Sequence, residues 1–277
     1  MLGVILIAVG ELFAEASATI GRYEVKHRKE TLYTMGFLSG FWATVFLVIY
    51  SFTWGEFRFS YDSLPTFGAR LGLEIALLLF SLHAMVQADR STFAFLRTFT
   101  IPLLLAADLA LGYPLSINQV FGVSLIVIAL LILLLNHGLS RRGKLLSLMS
   151  AICAVGTITL YKYNITYFNS VEAEQTLMHV FLLVAIAAAA KLQTGEDVTR
   201  RMFKPVFFAQ SLLAGVATML FSFAFLFAPA SVITAVKRSL EILGAIVFGR
   251  KYFHEKHVLL KLLACALVAG GIGLMVV

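Results

Sequence analysis

Residues 55–70 read GEFRFSYDSLPTFGAR, and residues 195–210 read GEDVTRRMFKPVFFAQ. At a fixed offset of 140 residues, Gly55 and Glu56 meet Gly195 and Glu196, Pro65 meets Pro205, Phe67 meets Phe207 and Ala69 meets Ala209. The register extends in both directions without a gap: Gly3 meets Gly143, Ala14 meets Ala154, Thr19 meets Thr159, Tyr23 meets Tyr163 and Ala88 meets Ala228. A single Ala or Gly identity says little in so apolar a chain. GE followed by P-x-F-x-A at one offset argues for a duplicated unit.

The rest of the chain says what is duplicated. Of its 277 residues 60% are hydrophobic and 13% charged, with a mean hydropathy of +0.91, a composition suited to lipid rather than water. Apolar stretches of about 20 residues, enough to cross roughly 30 Å of hydrocarbon at 1.5 Å per residue, recur throughout. Ten are expected as helices: 2–21, 34–54, 66–87, 91–112, 116–136, 145–165, 172–192, 206–227, 230–249 and 259–277. They divide into five in residues 1–137 and five in residues 141–277. An odd number of spans per unit makes the second copy insert upside down. The expected fold is therefore an all-α membrane protein of ten transmembrane helices, built as two inverted five-helix repeats.

The connections hold about a dozen residues at most, which leaves no room for a soluble domain. The first apolar run lacks a basic start and carries Glu11 and Glu15, so it reads as a retained helix rather than a signal peptide. Cys153 and Cys265 fall inside predicted helices, read as small core residues and say nothing about a disulfide framework or a metal site. A net charge of +7 does not point to nucleic acid, because the basic residues form no continuous groove-filling segment. Loops and flanking turns after spans one, three, five, seven and nine, such as RYEVKHRKE (22–30) and SRRGK (140–144), carry 16 of the 22 Lys and Arg. The positive-inside rule then places those loops in the cytoplasm and both termini outside.

A charge near the bilayer centre costs roughly 2.5–3.5 kcal/mol on insertion scales and is there for a partner or a function. Span one holds Glu11 and Glu15, span three Arg70 and Glu74, span four Arg97 and Asp108, and span nine Lys237, Arg238 and Glu241. Glu11 with Glu15, Arg70 with Glu74 and Lys237 with Glu241 are spaced i to i+4 and share a helix face. The last two are expected as intrahelical ion pairs. If Lys237 and Glu241 neutralise each other, Arg238 needs a partner on another helix, such as Glu11.

The 140-residue shift lays Arg97 on Lys237. Each lies about 10 Å inside its span, and the two spans start from opposite sides, so the cations are expected to bracket the midplane with room between them for a small anion. Arginine offers a planar fork to carboxylate or phosphate, and lysine a compact ammonium. Glu11 and Glu15 are candidates either for proton binding or for salt bridges to the basic cluster. Ser81 and His83 on span three, with His179, are secondary candidates. Lys162, the repeat mate of Arg22, reads as a snorkelling anchor. ALVAGGIG (266–273) offers small residues for close helix contact within the bundle or in a dimer.

The ten spans in two halves, and the closing segment FGRKYFHEKHVLLKLLACALVAGGIGLMVV (248–277), resemble the EamA-type ten-helix branch of the drug/metabolite transporter superfamily. The glycine and acidic residue that precede the last helix in that branch are seen here, more widely spaced, as Gly249 and Glu255. FLRTFTIPLL (95–104) and VKRSLEILGAIVFGR (236–250) are similar to the corresponding helices of sugar-phosphate/phosphate translocators, whose cations hold phosphate. The resemblance implies phosphate-binding roles for Arg97, Lys237 and Arg238, with Arg97 in place of the usual lysine. Glu241 and the two acids of span one depart from an all-cationic pocket.

These readings lead to an expected function as an alternating-access secondary transporter of a small organic anion or metabolite, including a phosphorylated one, bound by Arg97, Lys237, Arg238 and Glu241. A rival within the class is proton-coupled export of amino acids, amines or drugs, with Glu11 or Glu15 as the coupling residue. A lipid flippase component or a membrane-embedded enzyme is the reading from another class. No HExxH, GxSxG or aspartate-rich motif supports enzymatic chemistry, and no cofactor or metal is expected. The expected partners are a small-molecule substrate and the lipid bilayer, with a monomeric or homodimeric multi-pass chain in a prokaryotic inner (plasma) membrane.

Overall fold

The computed structural model describes residues 2–276 except 28, 30, 54, 111–116, 136–141, 202–203, 228–229 and 254–257. Among these residues the backbone is helical, with no strand: α1 Leu2–Lys26, α2 Leu32–Thr53, α3 Leu64–Gln87, α4 Arg90–Arg97, α5 Thr100–Ala110, α6 Ile117–Leu135, α7 Lys144–Tyr167, α8 Val171–Thr194, α9 Pro205–Ala224, α10 Ala230–Phe253 and α11 Val258–Val276. Five helical stretches, Leu32–Thr53, Tyr61–Gln87, Lys144–Tyr167, Val171–Thr194 and Pro205–Ala224, are long and apolar enough to cross a membrane by length and composition. That fits a multi-pass integral membrane protein.

The expected fourth span, 91–112, is two helices, with a break at Thr98 and Phe99 between α4 and α5. Pro102 is the physical reason: its missing N–H and its ring both act on the carbonyl four residues earlier, that of Thr98. The Thr98 carbonyl instead accepts the Ile101 N–H at 2.9 Å. The Thr98 hydroxyl donates to the Phe95 carbonyl at 2.5 Å and the Thr100 hydroxyl to the Arg97 carbonyl at 2.7 Å, so side chains serve the interrupted turn. The corresponding stretch of α10 has no proline and runs through. Each of the other expected spans lies on a single helix, with bounds shifted by up to five residues.

Packing couples early helices to late ones: α1 lies along α9, α7 along α3, α2 along α8, and α6 along α11. In a bilayer such contacts gain from close backbone approach more than from hydrophobicity. A Cβ added at Gly215 of α9 would sit 2.8 Å from the Trp42 carbonyl carbon and 2.9 Å from the Ala43 nitrogen of α2. One at Gly271, within the predicted small-residue run, would sit 2.5 Å from the Gly122 carbonyl of α6, so that residue serves packing inside the bundle. The buried core around α10 and α11 is apolar, with Phe95, Ile101, Ile126, Ile242, Cys265 and Val268 among its members. Both cysteines are buried and free.

Two ends of the bundle are recognisable. At one, where the basic connections gather, Gly143 takes a left-handed φ of 69° and its α-carbon side closes on the Ala88 nitrogen, while Arg22 donates to the Ala88 carbonyl at 2.6 Å. At the other, Lys162 donates to the Phe225 carbonyl at 2.9 Å. Lys162 thus reaches inward to cap the C-terminus of α9, as Arg22 caps that of α3, rather than snorkelling outward; cations suit the negative end of a helix.

Candidate functional site

A cavity of about 370 Å³ lies between the halves, lined from α1, α2, α3, α4, α8, α9 and α10. Along α1 its wall runs from Glu11 to Arg22, eleven residues or about 16 Å of helix. Most of the lining is apolar or small. Its charged members are Glu11, Glu15, Arg22, Arg90, Arg97, Lys237 and Glu241, with His179 and Gln210 beside them.

Helical geometry explains how these side chains meet. Glu11 and Glu15 share one face of α1, Lys237 and Glu241 one face of α10, and Arg90 and Arg97 stand at the two ends of α4 on its cavity side. The break after Arg97 leaves that arginine in the last turn of α4, where a cation is favoured by the helix dipole. At Gly244, one turn beyond Glu241, an added Cβ would meet the Glu15 carboxyl carbon at 2.8 Å, so α1 and α10 approach within carboxylate reach.

The ion pairs differ from those the spacing suggests. Glu241 pairs with Arg238 three residues before it and with Arg97 across the halves at 3.4 Å; its expected partner Lys237 is not the one it takes. Lys237 instead places its ammonium 3.6 Å from the centroid of the Phe221 ring, a favourable cation–π position. Arg238 faces away from the cavity. It is 2% exposed and also donates from Nε to the Thr100 hydroxyl at 3.3 Å, so it braces Glu241 and the start of α5 rather than lining the site or pairing with Glu11. Glu15 pairs with Arg90, not with the cations of α10, and Arg90 also donates to the Thr19 hydroxyl at 2.6 Å.

Glu11 is 4% exposed, and its Oε2 has no hydrogen-bond partner among the described residues. Ser81 and His83 do not line the cavity: the Ser81 hydroxyl is buried without a hydrogen-bond partner among the described residues, and His83 bonds the Leu79 carbonyl of its own helix at 2.8 Å. The phase of α3 explains this, because Leu78, Leu82 and Met85 are the residues it turns inward. The side chain of Asp108, and the Gly249 and Glu255 pattern, lie outside the described residues and side chains. Sequence reasoning missed Arg90 and Gln210 as cavity residues. Gln210 carried a signal, since the 140-residue shift pairs it with the intramembrane Arg70.

Arg70 belongs to a second polar cluster away from the cavity. Its Nη1 donates to Glu174 on α8 at 2.7 Å, closer than its helix neighbour Glu74 at 3.6 Å. The expected intrahelical pair is therefore the weaker of two.

The fold thus defines an all-helical, membrane-type bundle around a charged internal cavity. It is similar to a solved structure described only as the crystal structure of a protein, with a TM-score of 0.64 at 12% sequence identity, over 97% of this chain and 98% of that one. That likeness is one of fold. No protein-family model matches the sequence, and no curated protein matches it.

Proposed function

We propose that this protein is a secondary transporter that moves a small organic anion by alternating access, with the solute held in the central cavity. The observation that carries the reading is the charge balance of the site. The lining sets Arg22, Arg90, Arg97 and Lys237 against Glu11, Glu15 and Glu241, an excess of one cation, with Arg238 bracing Glu241 from outside the lining. Arg90 is engaged by Glu15, and both Arg97 and Arg238 share the single charge of Glu241. Lys237, against an aromatic face and on the cavity wall, is the group most open to an acidic group of a solute. Carboxylate and phosphate both meet that requirement, and charge-assisted contacts in a dry site are the strong ones.

The inverted-repeat reading supports alternation, since such repeats give a bundle two related ways to close around one site. The pairing of α1 with α9 maps, under the 140-residue shift, onto that of α7 with α3. Arg22 and Lys162, one shift apart, both cap the end of a neighbouring helix. The break between α4 and α5 beside Arg97 is a further feature suited to ion and solute sites, where interrupted helices supply backbone groups.

A second reading rests on Glu11, whose buried carboxylate oxygen without a hydrogen-bond partner suits a proton or an amine. This is the proton-coupled exporter of amino acids, amines or drugs. A thermal-shift screen of the detergent-solubilised protein with organic phosphates, carboxylates, amino acids and cations separates them. Stabilisation by acidic solutes that disappears in Lys237→Ala supports the anion reading; stabilisation by amines that disappears in Glu11→Gln replaces it with the second.

A further inference from the structure

We infer that Arg70 and Glu174 form the gate that closes the bundle at the end away from the basic connections, and that separating them is the step that turns the site toward that face. The inference rests on the alternating-access reading.

The Glu174 carboxylate is fully buried and is met from two helices and a turn. Arg70 of α3 donates to its Oε1 at 2.7 Å, Asn164 of α7 to the same oxygen at 2.9 Å, and Asn169 of the α7–α8 turn to Oε2 at 2.6 Å. Arg70 also donates to Gln175 at 3.2 Å and stacks its guanidinium 4.5 Å from the Tyr161 ring centroid. Around this centre Thr66 donates to Asn164 at 2.7 Å and the Asn169 amide to Ser63 at 3.0 Å. The Ser60 nitrogen donates to Asn169 at 2.8 Å and the Ser170 nitrogen to the Arg58 carbonyl at 2.9 Å.

Every one of these bonds crosses from one half to the other or completes the group that does. Arg58, Ser60, Ser63, Thr66 and Arg70 belong to the first half; Asn164, Asn169, Ser170 and Glu174 belong to the second. The cluster lies beyond the end of the cavity. Arg70 precedes the first cavity residue of α3, Leu78, by eight positions, about 12 Å along the helix; Glu174 precedes the first of α8, His179, by five, about 7 Å. No cavity residue comes from α7, the helix that closes this end.

With three of its roughly four acceptor sites taken by protein donors and no exposure to solvent, the Glu174 carboxylate reads as part of a seal and not as a second site. Alternation requires α3 to part from α7 and α8 here, and the ion pair is the buried link that must break.

The test uses a cysteine reporter, Ser39→Cys on the cavity wall, with Cys153 and Cys265 replaced by alanine, and a membrane-impermeant thiol reagent applied to each face of oriented vesicles. With the gate intact the reporter reacts from the basic-loop face alone. With Glu174→Gln, labelling from the opposite face rises by about tenfold or more. Labelling from the opposite face with the gate intact, or no rise in a folded Glu174→Gln protein, overturns the proposal. A second arm locks the gate shut covalently: Ser63→Cys with Asn169→Cys, oxidised to a cross-link, abolishes solute exchange and leaves thermal-shift binding, with reductant restoring exchange. Full exchange in the cross-linked protein also overturns the gate. Labelling requires no substrate, so a gate that behaves as stated in a protein that moves no solute defeats the transport reading alone.

Discussion

The two ends of the bundle are built from residues one repeat apart, yet their chemistry differs. At the closed end stand Arg70, Asn164, Asn169 and Glu174; the 140-residue shift carries these positions onto Gln210, Glu24, Lys29 and Thr34. The first set gathers around one buried carboxylate; the second shares no such centre among the described residues, and that end is tied across the halves by Thr31 to Glu196 and Tyr33 to Gln193 instead. Gln210 accepts the Ser17 hydroxyl on its backbone carbonyl at 2.8 Å, the Thr34 nitrogen donates to the Thr31 hydroxyl of its own half at 3.2 Å, and Glu24 meets an exposed Lys29 at 3.8 Å. Glu24 is buried but Lys29 stands in solvent, and their separation is near the long limit for an ion pair. On the repeat reading proposed above, two copies of one scaffold would favour one closed end by polar chemistry alone.

The comparison is broken most severely by Glu174→Leu, which strands Arg70, Asn164 and Asn169 together. Removing one partner of a buried ion pair costs about 3–5 kcal/mol, visible as a large drop in the unfolding midpoint in detergent; Arg70→Met added to it is expected to recover part of the loss. Next comes Gly215→Val, where the new side chain meets the Trp42 and Ala43 backbone. Overpacking of this sort costs about 1–3 kcal/mol, and a stability unchanged from the parent would contradict the close α2–α9 approach. At the cavity end, Lys237→Ala is expected to leave the fold in place and to lower affinity for an acidic solute about 10–100-fold, the worth of a hydrogen bond to a charged group, read by titration of the thermal shift. The smallest effect belongs to Thr100→Val, which removes the hydroxyl facing Arg238; about 1 kcal/mol of stability is at stake, with ligand affinity little changed.

Much of the helical layout was legible because a bilayer-length apolar run is a strong local signal, and the bounds of α7 and α8 lie within two residues of the spans read from sequence. The break in the fourth span was legible too: Pro102 sits four residues after Thr98, and the apolar run masked it. Ion-pair partners were not legible. The i to i+4 spacing of Lys237 and Glu241 is a statement about one helix, whereas Glu241 turns to Arg97 from another half and to Arg238 at i−3. Glu174 was missed because it stands only three residues after the start of α8, where an acid reads as a helix-dipole complement; the same argument that singled out Arg70 applied to it. The resemblance to the translocators' Lys-Arg pair implied a pocket role for Arg238, but adjacent residues point about 100° apart on a helix, and of the two only Lys237 lines the cavity.

The account depends on one claim above the others, that Lys237 holds the acidic group of a transported solute in the central cavity. Exchange of a labelled solute chosen by the thermal-shift screen, measured in proteoliposomes for the parent and Lys237→Ala, tests it most directly. The prediction is saturable exchange of an acidic solute that falls at least about tenfold in a folded Lys237→Ala protein. Undiminished exchange in that variant, or exchange confined to solutes without an acidic group, would contradict it.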